Sequence, residues 1–210
     1  MLFQSPAVIL LLLLLALVFL GLLHRVLDRM RLTKRQALAV LGLMLVGGFL
    51  PDIALGRGFA FNIGGALVPL GVSVYLLATA DTGLEKARGL LAALAAALVV
   101  WGLETVLPAQ PGAGRMDIDP LYVPPLVAGL TAYLLGRSRR AAFIGGVLGL
   151  SLLDTGLWAR SALLGAPTGP VVLGGGGVFG AAVVAGVFAV LLAELIGEIR
   201  ERLGGGPARV

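Results

Sequence analysis

The sequence predicts an all-α fold: a polytopic transmembrane helical bundle of about seven helices, with the third and seventh broken by Gly and Pro. Three observations carry that expectation. The 210 residues are 59% hydrophobic and 13% charged, with a mean hydropathy of +1.02, which exceeds the apolar content of soluble domains. Apolar runs long enough for a bilayer core of roughly 30 Å recur along the chain. Lys and Arg concentrate in alternate connections, as they do in the cytoplasmic loops of membrane proteins.

The first run, residues 7–23, follows an uncharged start and precedes His24-Arg25-Val26-Leu27-Asp28-Arg29-Met30-Arg31. A secretory signal carries its charge before the apolar core and a small-residue cleavage site after it, so this reads as an uncleaved helix with its N-terminus outside. Residues 27–32 alternate in charge and read as an interfacial extension. The second run, 37–55, carries Asp52 near its outer end, just after Pro51. The third, 59–80, brings Asn62 and the pair Gly64 and Gly65 shortly inside its outer end, with a kink expected at Pro69.

The fourth run, 89–107, closes at Glu104, and the outer loop that follows, 108–120, holds Pro, Gly, Asp117 and Asp119 and reads as a solvated turn. The fifth, 121–135, opens on Pro124-Pro125, which suggests a second kink. The sixth, 141–159, carries Asp154 in its outer half. The seventh, 171–197, is entered through Pro167 and Pro170 and opens on four glycines, Gly174, Gly175, Gly176 and Gly177. Residues 1–203 thus make a single integral membrane domain, and 204–210 a flexible cytoplasmic tail.

The basic residues test this division. Arg25, Arg29, Arg31, Lys34, Arg35, Lys86, Arg88, Arg137, Arg139, Arg140, Arg200, Arg202 and Arg209 fall on one side, whereas Arg57, Arg115 and Arg160 fall on the other. The expected location is the cell membrane, with the N-terminus outside and the C-terminus cytoplasmic. Because the 16 basic residues cluster at the ends of apolar runs, their excess is a topology signal and not a nucleic-acid surface. With no cysteine and one histidine, His24, neither a disulfide nor a zinc cluster is expected. No metal and no cofactor is expected.

Topology assigns a depth to each unusual residue. Asp52, Asn62, Gly64, Gly65, Glu104, Asp154 and Gly174 to Gly177 all fall in the outer third of the membrane. A charged carboxylate at a helix centre costs about 3 kcal/mol even on lenient insertion scales, which makes Asp154 the sharpest pointer to a site. Asp52 is also suited to pairing with Arg57, and Asn62 to capping or stapling helices. Gly145 with Gly149, and Gly176 with Gly180, have the spacing that lets helices approach closely. Four consecutive glycines exceed that need and point to a broken, extended or re-entrant stretch.

The second and third helices and the sixth and seventh follow one plan: a late aspartate, a short outer loop with one arginine, and a Gly-rich helix start. Both pairs run in the same sense, so any repeat is parallel. Breaks in corresponding spans are where transporter folds hold ions or substrates. The leading expectation is therefore transport or binding of an ion or small polar solute at Asp154, Asp52, Asn62, Gly64, Gly65 and Gly174 to Gly177, with the bilayer as partner and a homodimer as a suitable assembly. The alternatives are a non-catalytic membrane scaffold or partner-binding subunit, favoured by the paucity of polar residues, and an intramembrane aspartyl protease using Asp154 and Asp52.

Several stretches, His24-Arg25-Val26-Leu27-Asp28-Arg29, Asn62-Ile63-Gly64-Gly65-Ala66-Leu67-Val68-Pro69, Ile118-Asp119-Pro120, Gly136-Arg137-Ser138-Arg139-Arg140-Ala141-Ala142-Phe143 and Ala189-Val190-Leu191-Leu192-Ala193-Glu194, resemble one family. It is the domain-of-unknown-function family 1614 of uncharacterised bacterial membrane proteins. The resemblance spans nearly the whole chain and implies relatives without implying a reaction. The family's Gly-rich string ends in a Phe-Asp pair, whereas here Phe179 is followed by Gly180. A protease dyad on the sixth and seventh helices thus lacks its second acid.

Overall fold

The computed structural model describes residues 16–18, 20–27, 30, 32–106, 123–164 and 171–203. The start of the first run, the 108–120 loop with Asp117 and Asp119, Pro167, Pro170 and the 204–210 tail lie outside the described residues. Seven helices follow in order: α1 (Ala16–Leu27), α2 (Lys34–Phe49), α3 (Val68–Ala78), α4 (Gly83–Val106), α5 (Val123–Gly136), α6 (Arg139–Leu164) and α7 (Ala181–Leu203).

The all-α expectation needs correction, because a small sheet is inserted among the helices. Its strands are β1 (Ile53–Gly56), β2 (Phe59–Phe61) and β3 (Val171–Leu173), in the order β1-β2-β3. Leu50 is already extended, at φ −75° and ψ 152°, as suits a residue that precedes a proline. The second helix therefore ends at Phe49, short of residue 55. The chain then reverses through Gly56, Arg57 and Gly58, all at positive φ, into a hairpin with a bulge between Ala54 and Gly56. Strand β3 pairs parallel with β2, Phe59 opposite Val171 and Phe61 opposite Leu173.

Each of these two parallel strands leads into an irregular turn and then a helix. After β2 comes a π-helical turn, Ile63–Leu67, and α3; after β3 come Gly174 to Gly176, a 3-10 turn, Gly177–Phe179, and α7. The third and seventh apolar runs are thus broken near their starts. Pro69 does not kink α3 but occupies its first turn, where a missing N–H costs nothing. Pro124 and Pro125 likewise fall within the first turn of α5.

Helices α4 and α6, together with Ala181–Glu201 of α7, are long and apolar enough to cross a membrane, at 24, 26 and 21 residues. The remaining apolar helical stretches have 10–17 residues. Helix α3 alone rises only about 17 Å.

Helix α6 sits at the centre, packed against α3, α4, α5, α7 and β3. Its small residues set that position. A Cβ on Gly145 would lie 2.8 Å from Ala92 Cβ of α4 and 2.9 Å from Ala132 Cβ of α5, and one on Gly149 would lie 2.7 Å from Ala96 Cβ. On an adjacent face, a Cβ on Gly146 would meet the α7 backbone at Gly186 N, 2.7 Å away. Among apolar helices in lipid, close van der Waals packing supplies the cohesion that solvent exclusion supplies in water. Hydroxyls inside the bundle bond back along their own helices: Ser73 Oγ donates to Pro69 O at 2.9 Å and Ser151 Oγ to Val147 O at 2.8 Å. A second apolar core joins Leu23, Val26 and Leu27 of α1 to Met44 of α2, Leu76 of α3, Phe143 of α6 and Val183 of α7.

Candidate functional site

The structure gathers most of the sequence-predicted residues at one glycine junction. Asn62, only 3% exposed, lies between β2 and the π-helical turn. Its side-chain oxygen accepts from Gly65 N at 2.9 Å, its Nδ2 donates to Asp52 Oδ1 at 2.9 Å, and its backbone N–H donates to Leu173 O at 2.9 Å. The residue therefore caps the turn, tethers the loop after α2 and joins β3. Asp52 is used by Asn62, and among the described residues it makes no ion pair with Arg57, so the expected Asp52 to Arg57 pair is corrected.

Around this cap, three glycine segments meet backbone to backbone. A Cβ on Gly64 would lie 2.1 Å from Met44 O and 2.3 Å from Gly48 N of α2. On Gly65 it would lie 2.1 Å from Gly174 O and 2.7 Å from Gly177 O. Gly174 and Gly177 have φ of +70° and +56°, a region that L side chains adopt only at a cost, so the backbone favours glycine at both, and at Gly174 the contact requires it too, since a Cβ there would lie 2.3 Å from Gly65 C. Several backbone groups of the break bond internally, Gly177 N to Gly174 O at 2.8 Å and Gly180 N to Gly177 O at 3.0 Å, while Gly175 and Gly176 are exposed. Space too small for a methyl group is too small for a solute.

Among the described residues, no hydrogen bond or ion pair joins Asp154 to this junction. Asp154 lies half-buried on α6. One turn further along α6, Trp158 covers the sheet: its ring centroid is 4.7 Å from that of Phe59, and its Nε1 donates to Arg57 O at 3.1 Å. Asp52 is engaged by the Asn62 amide, and among the described residues no hydrogen bond joins it to Asp154.

Sequence reasoning missed the polar site at the opposite, arginine-rich end. There a cavity of about 800 Å³ is lined by residues that include Asp81, Glu85, Tyr133, Arg137, Arg139, Arg140 and Arg200. Arg140, only 8% exposed, sits in the first turn of α6. Its guanidinium donates to Thr79 O at 2.9 Å and to Thr79 Oγ1 at 2.7 Å, and approaches Asp81 at 3.8 Å and Glu85 at 3.9 Å. Its Nε is buried without a hydrogen-bond partner. Ser138 links the parts, donating to Glu85 Oε1 at 2.9 Å and accepting from Ala141 N at 3.1 Å as it caps α6.

The α5–α6 turn that presents these groups is tight. A Cβ on Gly136 would lie 2.7 Å from Ala142 N, and Arg137 holds a φ of +56°. A glycine would fill that left-handed position at lower energy. Arginine there costs about 1 kcal/mol of backbone strain. The signal available in the sequence was the run Gly136-Arg137-Ser138-Arg139-Arg140, whose charge the topology reading had already accounted for.

The fold and these two sites define a predominantly helical protein with three helices able to cross a membrane, one glycine-sealed junction and one arginine-lined cavity. The family model "Protein of unknown function (DUF1614)" matches residues 15–192, and the chain belongs to that family. No curated protein matches it, and no solved structure does.

Proposed function

We propose that the protein is a seven-span membrane scaffold that binds a polar ligand from one side only, and that it is not an alternating-access transporter. The observation that carries this reading is the closure of the glycine junction, where an added Cβ would lie 2.1 Å from carbonyl oxygens at Gly64 and Gly65. A solute crossing the bundle would need ligands at the helix breaks, and here those breaks are filled by one another's backbone. Among the described residues, the intramembrane aspartate that would carry an ion shares no hydrogen bond with the Asn62 cap.

In this reading the arginine-lined cavity opens to the cytoplasm, as the distribution of Lys and Arg supports, and the β1–β2 hairpin lies outside. The bilayer is the surrounding partner. The natural sequence has no cysteine, so single-cysteine variants report topology directly. In intact cells an impermeant thiol reagent labels Leu55→Cys in the hairpin and leaves Thr82→Cys, before α4, unlabelled until the membrane is permeabilised. Labelling of both in intact cells contradicts the proposed arrangement.

A further inference from the structure

We propose that the arginine-lined cavity binds a phosphate ester, with Arg137, Arg139, Arg140 and Arg200 as its anion-holding groups. The inference rests on the one-sided binding reading and names its ligand class. Four guanidinium groups line the cavity against two carboxylates, Asp81 and Glu85. Arg139 also approaches Glu194 at 3.5 Å. Both acidic contacts of Arg140 are long, at 3.8 and 3.9 Å, so the lining keeps an excess of positive charge.

The buried Arg140 Nε has no hydrogen-bond partner although Nη2 of the same guanidinium is held in place by Thr79. An unsatisfied buried donor on a charged group costs free energy unless a ligand or an ordered water completes it. A guanidinium matches phosphate oxygens with paired N–H donors, and several arginines suit an anion with several oxygens. Strain at Arg137 is consistent with a side chain kept for a task at this position.

Size and lining select an ester over the bare ion. About 800 Å³ falls in the range of sites for organic ligands. Leu134, Ala193 and Ile196 form an apolar part of the wall, and Leu134 is 59% exposed. An organic substituent on the phosphate has a surface to lie against. A soluble phosphate ester and a lipid headgroup share this chemistry, and their attachment to acyl chains separates them.

The test uses the full chain purified in a neutral maltoside detergent. Binding is measured by titration calorimetry with four probes: inorganic phosphate, glycerol 3-phosphate, dihexanoyl-phosphatidylglycerol and, as zwitterionic control, dihexanoyl-phosphatidylcholine. The proposal expects saturable binding of an anionic ester at least tenfold tighter than inorganic phosphate or the zwitterionic lipid. Glycerol 3-phosphate as the tighter ester identifies a soluble ligand, and phosphatidylglycerol identifies a headgroup; both support the site.

The doubly substituted Arg137→Gly, Arg200→Gln variant leaves the Arg140 contacts intact and is expected to bind at least tenfold more weakly, with an unchanged circular dichroism spectrum. Absence of binding by both anionic esters overturns the proposal, as does unchanged affinity in that variant. Neither result touches the sealed junction, which stands or falls on thiol access at Ala66.

Discussion

Gly65 and Gly71 lie six residues apart under opposite constraints. A Cβ on Gly65 would strike Gly174 O, whereas one on Gly71 meets nothing within 4 Å. Backbone cannot swing aside as a side-chain tip can, so Gly65→Ala is expected to cost about 3 kcal/mol. It should lower the thermal midpoint in detergent by several degrees, while Gly71→Ala leaves it unchanged or slightly raised; equal midpoints for the two would refute the packing at the junction. Asn62, Gly64, Gly65 and the 174–177 run were legible as a group because their polarity or flexibility conflicts with an apolar span. Asp154 conflicted as strongly but, among the described residues, joins none of their hydrogen bonds; sequence gives its depth but not the face of α6 on which it points. It lies half-buried on an apolar helix, and replacing it by a neutral amide removes the cost of holding a charge there. Asp154→Asn is therefore expected to leave the fold intact and raise the thermal midpoint, and a marked fall would show that the carboxylate is a structural ligand.

At the scale of elements, α6 is organised by which of its glycines touch neighbours. Gly149 lies against Ala96 of α4, whereas Gly156 meets nothing within 4 Å. Gly149→Leu should push α4 away and abolish a monodisperse peak in size-exclusion chromatography, and Gly156→Leu should retain it. If both variants elute normally, the central placement of α6 is wrong. The Gly145 and Gly149 spacing was readable as a packing face from its period alone. The sheet was not readable. Its strands have three or four residues, too few for a two-residue alternation to show, and apolar Ile53, Phe59 and Val171 simply extended the adjacent helical runs. Arg137 offers a further test at this scale: Arg137→Gly relieves the left-handed strain and should raise the thermal midpoint by a few degrees while weakening the cavity. A lowered midpoint would mean that its side chain contributes more to folding than its backbone costs.

The whole molecule joins a closed end to an open one. At the closed end the two parallel strands β2 and β3 bring corresponding helix breaks together, and the shared plan of the second and third and of the sixth and seventh apolar runs anticipates that relation. At the open end three elements converge: the α3–α4 connection with Asp81, the α5–α6 turn with Arg137 to Arg140, and α7 with Arg200. Their meeting depends on tertiary packing of segments over a hundred residues apart in sequence, so composition and topology counting did not reveal it. The most direct measurement is thiol accessibility across a sealed membrane, with cysteine placed at each end. In oriented vesicles Ser138→Cys is expected to react with a charged, membrane-impermeant reagent from the arginine-rich side only, and Ala66→Cys, 3% exposed at the junction, to react from neither side. Reaction of Ala66→Cys from either side, in a variant that remains folded, would show a water path through the junction and contradict the one-sided scaffold.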